Sequence, residues 1–186
     1  MALPVALKEF SGEIDAVLEG LIDNSYGREA RLFEAMRYAV LLGGKRLRPF
    51  LVVASADMFM VSRDCSLRVG AAAEMVHAYS LVHDDLPCMD NDDLRRGKLT
   101  THRKFDEATA VLAGDTLLTK AFEIIGARET HESAEVRSDL VQALAVAAGG
   151  HGMAGGQMFD LEAEGHPLEM PEITRLQAMK TGALLA

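Results

Sequence analysis

Tryptophan is absent from this sequence, and three Tyr with seven Phe bring the aromatic residues to only 5% of the 186 residues. Aromatic side chains are enriched in strands, so their scarcity argues against a β-sandwich. The core must instead use aliphatic side chains and the ten methionines, whose flexible thioethers fill irregular gaps. Cysteine is also scarce, since Cys65 and Cys88 are the only two. Two cysteines suit neither a disulfide framework nor a zinc site, and we expect free thiols.

Basic residues are also scarce relative to acidic residues. The 28 Asp and Glu residues outnumber the 19 Lys and Arg residues, and the net charge is -9. General nucleic-acid binding depends on Lys and Arg contacts with phosphates, so this balance argues against a nucleic-acid partner. Every apolar stretch is shorter than the roughly 18 residues of a membrane span, and no secretory signal is visible. We expect a cytoplasmic protein without a membrane span, in which a bound anion needs local Arg, Lys or metal.

Apolar residues recur at helical spacing along almost the whole chain, which predicts an all-α fold. The predicted helices cover approximately residues 7–21, 29–42, 49–61, 67–85, 106–125, 134–148 and 153–164. A last helix is predicted from about Pro171 through Leu185, without a cap. The polar segment from Pro87 to about Lys104 is predicted to be a long loop, and such loops are usually functional or disordered.

The strongest chemical signal lies where the fourth predicted helix meets this loop. Asp84, Asp85 and Asp90 are crowded together there, and carboxylates combined with water and phosphate oxygens are the usual ligands of Mg²⁺. Pro87 ends the helix, so a short loop can fold Asp90 back toward Asp84. A solvated acidic helix end is the alternative. A calcium loop of the EF-hand type is excluded, because Arg95 stands where that loop requires glycine.

Two groups of cations accompany the acidic segment. Arg95 and Arg96 follow it directly, and guanidinium groups bind phosphate oxygens through paired hydrogen bonds. Acids and arginines together describe a metal-bridged polyphosphate site. The second group, Lys45 and Arg48, lies between two predicted helices in a segment that does not match a nucleotide P-loop. A basic helix C-cap would also explain it, but two clusters suggest two phosphorylated substrates.

Weaker signals come from single polar residues on helices. The spacing of His77 places it on the same helix face as Asp84, although a lone histidine is more often part of a core. Gln157 and Asp160 share one face, as in a cavity lining, and a surface pair explains that spacing equally well. Lys180, followed by Thr181, interrupts an apolar helix, and a partly buried ammonium there would seek an anion.

In their order along the chain, these motifs resemble those of the trans-isoprenyl diphosphate synthases, the polyprenyl synthetase family. The resemblance covers nearly the whole chain and rests on Gly43 to Pro49, His77 to Gly97, His102, Gly114-Asp115, Gly156-Gln157 with Asp160, and Lys180-Thr181-Gly182. It implies an antiparallel helix bundle around a central cavity, and a homodimer. The implied reaction is the Mg²⁺-dependent, head-to-tail condensation of isopentenyl diphosphate with dimethylallyl or geranyl diphosphate.

The resemblance also implies a role for each matching residue. Asp84, Asp85 and Asp90 match the aspartate-rich motif whose Mg²⁺ ions hold the allylic diphosphate, and Arg95 matches an arginine that contacts it. The residues that match those holding isopentenyl diphosphate are Lys45, Arg48, His77 and Arg96. Gln157 and Asp160 fall at substrate-binding positions. Lys180 matches a diphosphate contact, and Thr181 matches a residue that helps to stabilise positive charge near the allylic carbon.

The length of the product is expected to depend on Tyr79 and Ser80, which stand five and four places before the first aspartate. The large Tyr79 resembles the bacterial farnesyl-producing pattern, so farnesyl diphosphate is the expected product. A geranylgeranyl diphosphate synthase and a non-catalytic regulatory subunit are the alternatives, and the complete set of aspartates favours an enzyme.

One departure from the family pattern concerns its second aspartate-rich motif, which does not occur in these residues. We expect residues 1–186 to form a single synthase domain that is incomplete at its C-terminus. We also expect this chain to lack full activity with Mg²⁺, geranyl diphosphate and labelled isopentenyl diphosphate.

Overall fold

A computed structural model describes residues 3–185 of the chain. They fold into two compact units, of which the first ends at Thr130 and the second begins at His131. The first unit contains α1 (Leu3–Leu21), α2 (Ala30–Val40), α3 (Leu47–Met58), α4 (Arg63–Asp84), the strands β1 (Leu94–Arg95) and β2 (Lys98–Leu99), α5 (Thr101–Lys104) and α6 (Glu107–Gly126). The second unit contains α7 (Ala134–Ala148), α8 (Met153–Glu162), α9 (Met170–Lys180) and a 3₁₀ turn (Gly182–Leu184).

The longest helix of the first unit, α4, is buried along most of its length. Ser62 caps its N-terminus, because the Ser62 hydroxyl accepts a hydrogen bond from the backbone N–H of Cys65 at 3.3 Å. The helix interior is rich in small and aliphatic residues, and Ala71, Ala72 and Val76 have no exposed surface. Small side chains allow α3 and α6 to pack closely against α4. Polar side chains on α4 are therefore carried into the interior of this unit.

Helix α6 presents a matching face of small and aliphatic residues. Ala110, Ala113, Leu117 and Ala121 recur every three or four positions and are fully buried. This spacing is that of one face of an α-helix, as the sequence predicts. Burial of a side chain such as Leu117 contributes about 2 kcal/mol to the stability of the fold. The packing of α6 on α4 therefore holds the C-terminal end of α4, where the aspartates lie.

The segment from Pro87 to Lys104, predicted to be a loop, contains regular structure. In the hairpin, β1 and β2 pair antiparallel with Leu94 opposite Leu99. Arg96 and Gly97 form the turn with φ values of 54° and 77°, and positive φ at both positions is typical of the tight type I′ hairpin. The prediction was wrong here because strands of two residues are too short for a recognisable alternation of polar and apolar positions.

Other predicted boundaries differ from the structure by a few residues. Helix α3 begins at Leu47 and ends at Met58, and α4 begins at Arg63 because Ser62 supplies the cap. The last helix was predicted to run on through Leu185, but α9 ends at Lys180 and is followed by the 3₁₀ turn. The break falls just before Gly182, whose helix propensity is low.

The all-α prediction is confirmed, since the two-stranded hairpin is the single β-sheet among residues 3–185. Cys65 and Cys88 are free thiols, as predicted. None of the helices within this described range is both long and apolar enough to cross a membrane.

Candidate active site

A cavity of about 480 Å³ opens between the α2–α3 connection, α4 and the hairpin turn. The lining residues are Gly44, Lys45, Arg46, Leu47, Arg48, Glu74, His77 and Arg96. Four of these side chains are cationic and one is acidic, so the cavity has an excess of positive charge and suits a polyanion. The four residues predicted from the sequence to hold one diphosphate therefore lie together, although they come from three separate segments of the chain.

Gly44 allows the hairpin to reach this cavity. A Cβ atom at Gly44 would lie 2.4 Å from a terminal nitrogen of the Arg96 guanidinium and 2.7 Å from its Cζ. The φ of Gly44 is +139°, a conformation that other residues rarely adopt. Glycine is thus required both for the space that Arg96 occupies and for the course of the backbone between α2 and α3.

Arg46 is the most completely buried cation of the cavity, with 3% of its surface exposed. Its Nε donates to Asp15 at 2.8 Å, one terminal nitrogen donates to Glu74 at 2.7 Å, and the other donates to the carbonyl of Val40 at 2.8 Å. No role for Arg46 or Asp15 follows from the sequence alone. Charge and spacing do not separate Arg46 from Lys45 and Arg48, because only the fold determines which cation points inward.

His77 is a neutral side chain within a positive environment. The pKa of His77 is lowered from its ordinary value of 6.5 to about 3, mainly by burial and then by the positive charges of Arg48, Arg96, Arg46 and Arg95, in that order. At neutral pH the imidazole therefore carries no charge. It can offer a hydrogen bond to a phosphate oxygen, while the guanidinium groups supply the charge.

Arg48 has an unsatisfied donor. Its Nε is buried and has no hydrogen-bond partner among residues 3–185, and burial lowers the pKa of the guanidinium while the charge of Glu74 raises it. A buried donor without a partner is costly, so the site gains free energy when an anion accepts that hydrogen bond. Lys45, by contrast, is exposed at the mouth of the cavity.

The aspartates at the end of α4 adopt the arrangement that Pro87 predicts. The backbone N–H of Asp90 donates to the carbonyl of Asp84 at 2.8 Å, and the backbone N–H groups of Met89 and Asn91 both donate to the carbonyl of Leu86. The chain therefore turns back on itself directly after α4. Asp84 is half-buried and Asp90 is exposed.

Asp85 takes a different position from its neighbours. It is buried, with 3% of its surface exposed, and it pairs with Arg95, whose Nε donates to Asp85 Oδ1 at 3.0 Å while a terminal nitrogen bonds the same oxygen. Burial raises the pKa of Asp85, and the hydrogen bonds from Arg95 act in the opposite direction. In this structure Asp85 anchors the hairpin to α4, and Arg95 faces a carboxylate.

The carboxylates of Asp84 and Asp90 fit a hard divalent cation that keeps much of its water. Within residues 3–185, no three His, Cys, Asp or Glu side chains are grouped so that they could enclose a metal ion by themselves. Mg²⁺ is commonly held by one or two carboxylates together with water and substrate phosphates. The donor set is thus suited to a metal that binds together with a diphosphate.

A buried pair at the other end of the hairpin closes the loop. The Thr100 hydroxyl donates to the carbonyl of Asp92 at 2.9 Å and lies 3.2 Å from His102 Nδ1. Thr100 is fully buried, and His102 Nε2 is buried without a hydrogen-bond partner among the described residues. These contacts hold the ends of the segment that carries Arg95 and Arg96. His102 is one of the residues that carry the family resemblance, whereas no sequence pattern indicates a role for Thr100.

The two residues predicted to set product length lie on α4 between His77 and Asp84. The ring of Tyr79 packs edge-on against His83 with their centroids 5.8 Å apart. Burial and the charge of Asp84 both raise the pKa of Tyr79. The Ser80 hydroxyl donates to the carbonyl of His77 at 2.9 Å. Tyr79 is thus the bulkier of the two, and it stands near the aspartates.

The second unit brings together two of its four predicted site residues. Lys180 Nζ donates to Asp160 Oδ2 at 2.5 Å, which links the end of α9 to α8. The helices approach closely at Gly156, where a Cβ atom would lie 2.3 Å from the backbone nitrogen of Lys180. Gln157 is half-buried and Thr181, which follows α9, is exposed. Lys180 therefore already has an anionic partner.

Comparison with known sequences places these motifs in context. The sequence profile of the polyprenyl synthetase family matches residues 29–186. Farnesyl diphosphate synthase of Micrococcus luteus is 46% identical over 172 residues, which cover 92% of this chain and 58% of that protein. Farnesyl diphosphate synthase of Escherichia coli is 52% identical over 153 residues, which cover 82% of this chain and 51% of that protein. The chain thus spans between half and three fifths of the length of these curated relatives.

Similarity to solved structures agrees with the sequences. The apo crystal structure of an FPP/GFPP synthase from Zymomonas mobilis matches with a TM-score of 0.93 and 52% identity, over 97% of this chain and 66% of that chain. A geranyltransferase from Legionella pneumophila matches with a TM-score of 0.91 and 37% identity, over 96% of this chain and 64% of that chain. The predicted isoprenoid-synthase type of all-α fold is thereby confirmed.

Proposed function

We propose, from the premise that this chain belongs to the polyprenyl synthetase family, that its protein condenses isopentenyl diphosphate with an allylic diphosphate. Dimethylallyl and geranyl diphosphate are the proposed allylic substrates, and farnesyl diphosphate is the proposed product. The names of the relatives from Micrococcus luteus and Escherichia coli support this product. The geometry of the first unit supports two neighbouring sites for phosphate groups.

The observation that carries the proposal is the position of the hairpin turn. Arg95 and Arg96 are adjacent in sequence, yet Arg95 pairs with Asp85 at the end of α4 while Arg96 lines the cationic cavity. Neighbouring residues on a tight turn thus connect the aspartates with the cavity. A polyprenyl synthase must hold two diphosphates side by side, and this turn supplies one arginine to each place.

The chain's own residues divide the work between these two places. In the cavity, Lys45, Arg48 and Arg96 would neutralise isopentenyl diphosphate, and the uncharged His77 would add a hydrogen bond. At the aspartates, Asp84 and Asp90, with Asp85 nearby, would hold Mg²⁺. Arg95 would contact the allylic diphosphate while it also bonds Asp85. Bound Mg²⁺ would stabilise the negative charge that develops on the departing diphosphate.

The proposed reaction breaks the C–O bond of the allylic diphosphate and forms a C–C bond with the double bond of isopentenyl diphosphate. A proton then leaves the product, and the released diphosphate is the proposed acceptor. Cationic side chains that already surround the leaving group need no rearrangement when its charge develops, which lowers the barrier. For the second unit we propose that Lys180 exchanges Asp160 for diphosphate, that Gln157 lines the substrate site, and that Thr181 stabilises positive charge.

Several parts of the assignment stay predictions from the sequence. They are Mg²⁺ as the metal, the homodimer, the cytoplasmic location, and a single domain that includes both compact units. A geranylgeranyl product remains the alternative within the family, because the relative from Catharanthus roseus, 43% identical, is named a geranylgeranyl pyrophosphate synthase. The complete set of aspartates disfavours a regulatory subunit.

Calorimetric titration of the full chain with geranyl diphosphate in the presence of Mg²⁺ tests the proposal. Replacement of Asp84 by alanine, or of Arg95 by alanine, is expected to weaken binding by about 100-fold or more, because each removes a charged contact to a diphosphate or its metal. Asp64→Ala is the matched control, since Asp64 is an exposed residue in the first turn of the same helix. Unchanged affinity in Asp84→Ala and Arg95→Ala would contradict the proposed site.

A further inference from the structure

Arg46 lines the cationic cavity without being available to a ligand. Each of its three guanidinium nitrogens already has a partner: the carboxylate of Asp15, the carboxylate of Glu74 and the carbonyl of Val40. Only 2% of its side-chain surface is exposed. At least three of its five N–H donors are used within the protein, and so little of its surface is exposed that a phosphate has hardly any access to it. Its charge contributes to the cavity, but its hydrogen bonds belong to the protein.

The backbone of Arg46 is held in an unusual conformation. Its φ of 50° and ψ of 35° lie in the left-handed region, at the residue that directly precedes α3. For a residue with a side chain this conformation is strained. Such a conformation persists when the surrounding contacts determine it, and the three hydrogen bonds of the guanidinium provide those contacts. The same turn sets the direction of Lys45, one residue before, and of Arg48, two residues after.

Glu74 is the counterpart of Arg46 and the one acidic residue in the lining of the cavity. It is 4% exposed, and its Oε1 accepts the hydrogen bond from Arg46 at 2.7 Å. A carboxylate beside an anion-binding cavity repels the ligand, and its charge also raises the pKa values of Arg48 and Arg96. By its negative charge alone, Glu74 would weaken the binding of a diphosphate.

We propose that Glu74 and Arg46 are positioning residues for isopentenyl diphosphate, and that Glu74 strengthens binding despite its charge because it clamps Arg46 and thereby directs Lys45 and Arg48 into the cavity. The inference rests on the proposed function, since it concerns the diphosphate subsite of that reaction. The left-handed turn at Arg46 would then have a function. Through this turn, the ion pair between Glu74 of α4 and Arg46 would determine the orientation of Lys45 and Arg48.

The two roles of Glu74 predict opposite changes in the affinity for isopentenyl diphosphate when Glu74 is replaced by glutamine. In Glu74→Gln the shape of the side chain is kept and one negative charge is removed from beside the ligand. If Glu74 acted through its field alone, the affinity for isopentenyl diphosphate would rise. If Glu74 positions Arg46, the affinity falls by about tenfold, because the charged hydrogen bond that holds the turn is weakened. Calorimetric titration of the full chain with isopentenyl diphosphate measures this sign directly.

Two further variants isolate the effect. Glu19→Gln makes the same change in net charge at an exposed position of α1 and is expected to bind like the original protein. Asp15→Asn loosens Arg46 from its other side, where the carboxylate is 43% exposed and lies outside the cavity lining. We expect Asp15→Asn to weaken binding about threefold with the fold retained, which keeps the test decisive if Glu74→Gln does not fold.

The outcomes separate this inference from the proposed function. Weaker binding in both Glu74→Gln and Asp15→Asn, with circular dichroism unchanged, supports the positioning role. Equal or tighter binding in Glu74→Gln, or in Asp15→Asn when Glu74→Gln does not fold, overturns it and leaves the proposed function intact. Failure of the original protein to bind isopentenyl diphosphate would overturn both.

Discussion

The neutral state of His77 makes the stability of this protein depend on pH in a specific way. The pKa of His77 is lowered to about 3 in the folded chain, while the unfolded chain has the ordinary value of 6.5. Between these values the unfolded chain binds a proton that the folded chain does not bind. The free energy of unfolding therefore rises with pH across this interval: the contribution is complete above pH 6.5 and is lost as the pH falls toward 3.

The magnitude follows from the same two values. The whole interval corresponds to about 5 kcal/mol, and the part lost between neutral pH and pH 5 corresponds to about 2 kcal/mol. A domain of this size is stable by about 10 kcal/mol in total, so the loss at pH 5 is a measurable fraction. His77→Gln keeps a polar side chain but cannot be protonated. We expect the variant to lose about 2 kcal/mol less than the original protein when the pH is lowered from 7.5 to 5.

Urea unfolding followed by circular dichroism at the two pH values gives the four free energies of this comparison. The other titrating groups are the same in both proteins, so their effect cancels in the difference. An NMR titration of the His77 ring checks the cause independently. The reasoning is refuted if His77 titrates near 6.5 in the folded chain, or if both proteins lose the same stability. Bound isopentenyl diphosphate is expected to raise the pKa of His77, because it offsets the charges of Arg48 and Arg96.

Two other substitutions test separate parts of the structure. Gly156→Ala places a Cβ atom 2.3 Å from the backbone nitrogen of Lys180, and we expect it to destabilise the chain by about 2 kcal/mol in urea unfolding. The control is Gly20→Ala, at a helical position where the new atom meets nothing within 4 Å, and it should stabilise the chain by up to about 1 kcal/mol. Equal changes in the free energy of unfolding for the two variants would show that α8 and α9 tolerate the extra volume. Tyr79→Ala should increase the affinity for farnesyl diphosphate relative to geranyl diphosphate, because the longer chain gains room where the ring packed. An unchanged ratio in competitive titrations would remove Tyr79 from the set of length-determining residues.

Much of the secondary structure could be predicted because helices longer than ten residues repeat their apolar positions several times. Helix α6 was predicted to within a residue of its true limits, and α7 was predicted with its exact bounds. The hairpin at Arg96 and Gly97 could not be predicted in this way. It is specified by two residues with positive φ, by the bond between Arg95 and Asp85, and by contact with Gly44 in the distant α2–α3 connection.

The candidate site shows the same division. Lys45, Arg48 and Arg96 were predicted from their charge, and His77 from its spacing to Asp84, while the family resemblance gave all four the same role; they share one cavity. Arg46 belongs to the same basic segment, yet it is turned inward to Asp15 and Glu74. Local sequence cannot distinguish a cation that binds substrate from one that supports the fold, because both have the same charge and differ only in their partners.

The order of apolar and charged residues by itself determined that this chain is helical, where its acidic turn lies, and which family it belongs to. Tertiary packing alone decided that Asp85 and Arg95 face each other, that His77 is held neutral, and that Arg46 is enclosed. The physical reason is the sequence separation over which each interaction acts. Helical periodicity and the effect of proline act within a few residues, whereas burial, ion pairing and pKa depend on groups that the fold brings together from remote positions.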